Sequence, residues 1–205
     1  MVDFAIEPNK TALLVVDMQN CFVEGSPVSA PDGPAVLARL NRLVDACRAN
    51  GIQVIHTAHV VRADGSNIGV MGEIIPPVRD GVITEGTHSA ALHESLSVHK
   101  GDIILNKPRF GAFHGTDLEL ILRSKRIDTV IIGGIATNVC CETTAREANV
   151  RDFRVLFLKD GTATFGIGDL SHKEIQKAVC TTLGFAFAQV LTVDEAIEKV
   201  SAGAR

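Results

Sequence analysis

Residues 129–141 read TVIIGGIATNVCC. The run Thr129 to Ile132 is short, apolar and β-branched, the composition of a strand buried on both faces. Two glycines and a turn follow it, and from about Ala136 the chain turns into a helix. A strand, a tight turn and a helix in that order make one half of a parallel crossover unit. Comparable runs recur at Thr11 to Val16, Ile52 to Ile55, Asp102 to Leu105, Arg154 to Leu158 and Ala188 to Leu191.

Helical signals fill the gaps between these runs. From Pro34 to Asn50, Leu37, Leu40, Val44 and Cys47 share one face, with Pro34 opening the helix and Gly51 closing it. Three later starts carry the pattern of a capping box, Thr116/Glu119, Ser171/Glu174 and Thr192/Glu195. The alternation predicts a doubly wound α/β fold: a six-stranded, mostly parallel sheet with helices on both faces. No repeat or linker divides the chain, so residues 1–205 are expected to form a single domain. The exception to the alternation is the stretch 60–100, rich in glycine and proline and without a helical period; a connection of that length is usually functional.

The bulk composition removes several function classes. The formal charge of −4 and the absence of a Lys/Arg cluster leave no electrostatic case for a nucleic-acid partner. No apolar stretch approaches the roughly 18 residues of a membrane span, and the first residues do not read as an export signal. Five cysteines (Cys21, Cys47, Cys140, Cys141 and Cys180) form neither C-x-x-C pairs nor an even disulfide framework, so free thiols in a cytoplasmic setting are expected. The partner predicted by this profile is a small molecule.

In open parallel sheets ligands bind beyond the carboxyl ends of the strands. Three chemically capable residues follow apolar runs: Asp17 after TALLVV, Lys107 after DIILN, and Cys140 in the turn after TVIIGG. Taken singly, a strand-end Asp or Lys is commonly a solvated end, and a lone cysteine commonly packs as a small hydrophobe. Together they supply a nucleophile, a carboxylate to take its proton, and a cation that stabilises thiolate and carboxylate alike. Thr137 or Asn138 is placed to cap a helix whose first turn holds Cys140, where free N–H groups would favour thiolate and an oxyanion. Cys141 lies about 100° further round and joins Thr144, Ala145 and Ala148 on an apolar face. Cys47 and Cys180 also read as packing, while Cys21, four residues past Asp17, is expected to line the pocket or to be open to oxidation.

At these residues, LLVVDMQNCF, ILNKPRFGAF and GGIATNVCCETTAREA, the chain resembles the isochorismatase-like cysteine hydrolases. The likeness runs from Thr11 onward, with three motifs in the family's order. It implies that Asp17 is the general base, Lys107 its cationic partner and Cys140 the nucleophile. It also implies a cis peptide between Ile135 and Ala136, with the N–H groups of Ala136 and Cys140 facing an oxyanion, and assembly into a homo-oligomer. The implied chemistry is hydrolysis of a C–N bond in a small amide, carbamoyl or ureido compound through a thioester, with release of ammonia. The segment around Lys107 and Cys140 looks most like ureidoacrylate, N-carbamoylsarcosine and biuret amidohydrolases.

Nicotinamidases of the family bind a metal through an Asp-x-His arrangement after the second strand. Here that stretch is His56-Thr57-Ala58-His59, with Thr57 in place of the Asp, so no metal and no other cofactor is expected and the two histidines read as a polar loop edge. Phe22, Arg109 and Phe110 are the expected substrate contacts, with Arg109 suited to a substrate carboxylate; Arg62, Arg79 and His88 are further candidates from the long loop. Two alternatives stand beside amide hydrolysis. One is vinyl-ether cleavage of the isochorismatase type, which does not require the thiol. The other is a non-catalytic switch or binding domain, for which DMQN supplies only one carboxylate.

Overall fold

In the computed structural model, which describes residues 2–203, six parallel strands form one sheet in the order β3-β2-β1-β4-β5-β6. They are β1 (Thr11–Val16), β2 (Gln53–His59), β3 (Ile103–Lys107), β4 (Thr129–Ile135), β5 (Arg154–Ala163) and β6 (Gln189–Leu191). The order reverses direction between β1 and β4, the switch point at which doubly wound sheets open a crevice. The expected α/β architecture is therefore present, and every pairing in the sheet is parallel.

Strand periodicity divides β1 between two cores. Leu13 and Val15 face the layer of α2 (Gly33–Ala49) and α8 (Val193–Gly203), against Leu40, Val44, Ala196 and Val200. Ala12, Leu14 and Val16 face the opposite layer of α5 (Leu118–Ser124), α6 (Glu142–Asn149) and α7 (His172–Ala186), against Leu122, Ala145 and Val179. A strand apolar on both faces is what such a three-layer arrangement demands.

Two of the three capping boxes are formed. Ser171 accepts from the Glu174 N–H and its own N–H donates to the Glu174 carboxylate; Thr192 and Glu195 exchange the same pair. Thr116 and Glu119 do not. The helix begins one residue later than the box requires, with Asp117 at its cap. The Thr116 hydroxyl donates to the Ala112 carbonyl, and Glu119 turns to Arg151.

Four strands run further than their apolar stretches, and in β4 the continuation is Gly133, Gly134 and Ile135. β2 continues through His56, Thr57 and His59, β3 reaches Lys107, and β5 passes Lys159 and Asp160 to Ala163 across a register shift against β4. The stretch 60–100 holds two single-turn helices, α3 (Met71–Ile74) and α4 (Pro76–Arg79), after the short α1 (Asn20–Val23) has left β1. It closes over the sheet end as a small apolar cluster of Cys21, Val61, Met71, Val78 and Ile83. Cys21 is thus a packing residue there, not a pocket residue.

Gly134 brings β4 close to β1. Its φ is +135°, and a Cβ there would lie 1.9 Å from the Val16 carbonyl oxygen. Gly134→Ala is expected to destabilise the fold by about 3 kcal/mol or more, measured by urea denaturation; an unchanged midpoint would contradict this close approach.

Candidate active site

Sheet register sets the three motif residues side by side. Val16 pairs with Thr57 on one flank and Gly134 on the other, and His59 pairs with Lys107. Asp17, one residue past β1 with φ of 51°, therefore lies between the ends of β2 and β4. Cys140 follows β4 in a single π-helical turn, Thr137–Cys141, that runs into α6. The Ile135–Ala136 peptide is cis.

Asp17 and Lys107 are wholly buried and form an ion pair, Oδ2 to Nζ, of 2.7 Å. The ammonium donates also to the carbonyls of Arg109 (3.0 Å) and Phe110 (2.9 Å), and the Thr57 hydroxyl donates to Asp17 Oδ1 at 2.6 Å. The Cys140 sulfur is within hydrogen-bonding reach of both charges. Burial opposes the charge of Lys107, but the carboxylate and thiol beside it outweigh that and hold its pKa above the ordinary lysine value. At Cys140 burial dominates. Together with the charge of Asp17 it overrides Lys107, and the thiol is pushed up to about 12. Burial thus favours a neutral thiol at Cys140 beside the ion pair, in contrast to the thiolate expected from the helix end. Neither expected cap forms: Asn138 accepts from the Thr164 hydroxyl, and the Thr137 hydroxyl is buried without a partner.

The two histidines are strand residues, not a loop edge. Three positions apart on β2 they point to opposite faces. His56 turns to Asp102 at 3.1 Å. His59 comes to the site, where its donor atom, an Asp17 oxygen and the Cys140 sulfur all lie within 4.8 Å of one another. The main chain of His59 is gripped by the buried Gln19 amide, which accepts from its N–H and donates to its carbonyl while also donating to Ala90 in the long loop. The Asp-x-His set does not fit these residues as a metal site: Thr57 is committed to Asp17, and the Asp17 carboxylate is already engaged by an ammonium and a hydroxyl.

In front of the sulfur is a cavity of about 90 Å³ that Cys140, His59, Phe22 and Phe110 line with Ala136 and Val139. The long loop supplies Ile75, Val78 and Val82, and Val28 and Phe165 complete the wall. Arg109 is placed elsewhere. Its guanidinium donates to the carbonyls of Asn67 and Pro108 and does not line the cavity. Arg62, Arg79 and His88 do not line it either. Local pattern does not single out Gln19, and it reads Thr57 as a missing metal ligand, His59 as a polar loop edge and Thr144 as part of an apolar helix face. Thr144 donates to the Cys140 carbonyl and accepts from the Ala112 N–H, tying the Cys140 turn to the segment after Lys107.

The isochorismatase domain model matches residues 11–195. The chain belongs to the isochorismatase family. A ureidoacrylate amidohydrolase RutB from Methylorubrum extorquens is 34% identical over 94% of this chain and 87% of its own length. Nicotinamidase 3 from Arabidopsis thaliana is likewise 34% identical, over 92% and 89%. Among solved structures, a cysteine hydrolase from Pseudomonas syringae pv. phaseolicola superposes with a TM-score of 0.94 at 34% identity, covering 98% of this chain and 97% of that one. The protein is thus an isochorismatase-family hydrolase, of a family acting on small molecules, and among the described residues no helix is long and apolar enough to cross a membrane.

Two predictions follow from the site's electrostatics in this isochorismatase-family chain. Lys107→Met leaves Asp17 buried and unpaired and should cost about 3–5 kcal/mol; adding Asp17→Leu should recover part of that loss in a double-mutant cycle of urea melts. Burial and the Lys107 charge depress His59 to about 3, so between pH 6.5 and 3 the unfolded chain binds a proton that the folded one refuses. Stability then falls as pH drops through that window. In His59→Gln the loss between pH 7 and pH 5 should shrink by about 2 kcal/mol, read from urea midpoints at the two pH values.

Proposed function

We propose that the chain is a cysteine amidohydrolase that cleaves the C–N bond of a small amide, carbamoyl or ureido compound, with residues 1–205 acting as a single catalytic domain. The observation that carries this reading is the sealed Asp17–Lys107 ion pair set directly against a buried thiol. A structural cysteine has no use for a carboxylate and an ammonium buried at such cost. The amidohydrolase and nicotinamidase relatives add weight to C–N hydrolysis.

In this mechanism the thiol passes its proton to Asp17 as sulfur attacks the carbonyl. Charge developing on the carbonyl oxygen is met by the backbone N–H groups of Ala136 and Cys140. Asp17 then protonates the leaving nitrogen, ammonia departs and a thioester remains. Water, deprotonated by the same carboxylate, attacks the thioester, and the thiol regains its proton. Lys107 balances the one negative charge of the site, on the Asp17 carboxylate at rest and on the oxyanion once Asp17 is protonated, and its other donors are held by two carbonyls, so it moves no proton. Five free thiols suit a cytoplasmic enzyme, and Phe185, 91% exposed on α7, is a candidate contact of a homo-oligomer.

Cys140→Ser should lose at least about 100-fold in kcat while keeping the wild-type melting midpoint. With wild type, added hydroxylamine should divert part of the product to hydroxamate as it intercepts the thioester. Near-normal turnover by the serine variant, or the absence of hydroxamate during active ammonia release, would overturn the assignment.

A further inference from the structure

The wall of the cavity narrows the substrate class. Of the eleven lining residues nine are aliphatic or aromatic, and the exceptions are the nucleophile and His59. No lining residue is a lysine, arginine, aspartate or glutamate. The nearest cation, Lys107, lies behind the sulfur with its donors committed to Asp17 and two carbonyls. The charge it carries is balanced by Asp17 at 2.7 Å, so the pair presents no net positive charge to an anion. Arg109, which would serve a substrate carboxylate, is bonded to the Asn67 and Pro108 carbonyls instead.

Apart from the thiol itself, His59 is the one polar side chain in the cavity wall. Its ring is hydrogen-bonded to the Pro108 backbone, and its Nε2 is buried without a partner. A buried acceptor left open in an apolar wall calls for a donor, and the N–H of an amide substrate is a donor of the required kind. The cavity, about 90 Å³, has the volume of about three liquid waters, so only a small group fits.

We infer that the substrate is a small, uncharged primary amide with a short apolar acyl group, and that carboxylate-bearing ureido and carbamoyl acids are poor substrates. This rests on the cysteine amidohydrolase reading of the same site. Burying a carboxylate without a counter-charge against these side chains is strongly unfavourable, whereas an alkyl group of the same shape gains from leaving water. His59 then orients the scissile amide by accepting one of its N–H bonds.

The test compares 4-methylpentanamide with succinamate, a pair of nearly equal shape in which a dimethyl group replaces the carboxylate, with ureidoacrylate alongside and ammonia release as the readout. The wild-type enzyme should favour the neutral amide by at least about 100-fold in kcat/KM. Introducing a cation into the wall, as Val82→Lys or the half-buried Val28→Lys, should improve the ratio for succinamate by about tenfold or more. Equal or faster turnover of succinamate or ureidoacrylate by wild type overturns this inference and leaves the amidohydrolase reading intact. Ammonia from none of the compounds, or from a wider panel of amides and ureas, would overturn both.

Discussion

The site depends on one buried electrostatic contact, the 2.7 Å pair between Asp17 and Lys107. Two opposite charges withdrawn from water are held only where geometry and further hydrogen bonds compensate their desolvation. Here the compensation comes from Thr57 on β2 and from two carbonyls just past β3. Strands β1, β2 and β3 must therefore keep their register for the pair to exist at all. Cys140 arrives from the far side of the switch point, in the turn after β4, so the thiol meets the carboxylate only where the sheet order reverses.

The same contact explains why the thiol rests protonated. Lys107 attracts a thiolate, but its charge is already balanced by Asp17, and burial then decides the matter. A sulfur that keeps its proton is shielded from adventitious chemistry.

The fold was legible because apolar runs and helix starts alternate so regularly. All six strands and the core faces of α2 and α6 could be placed from pattern alone, as could Asp17, Lys107 and Cys140 at one rim. What pattern could not give was the polar continuation of the strands. His56, Thr57 and His59 end the apolar run of β2, yet they stay in the strand because their partners lie on other elements: Asp102, Asp17 and Gln19. Such partnerships are fixed by register, which local spacing does not encode. The failed capping box at Thr116 has the same origin. An identical motif forms at Ser171, but the Glu119 carboxylate finds Arg151 on a neighbouring segment. Arg109 likewise has the chemistry to bind a carboxylate, but its guanidinium is taken by the Asn67 and Pro108 carbonyls.

Burial beside an intact Asp17–Lys107 pair favours a thiol at Cys140 in place of a preformed thiolate. Thiolate absorbance in the ultraviolet, taken as the difference between wild type and Cys140→Ser over a pH titration, reads this directly. The account predicts no Cys140 thiolate step below about pH 10, in keeping with a thiol pushed up to about 12. A step of one thiolate with a midpoint near neutrality would contradict it and place the proton on Asp17 before any substrate binds.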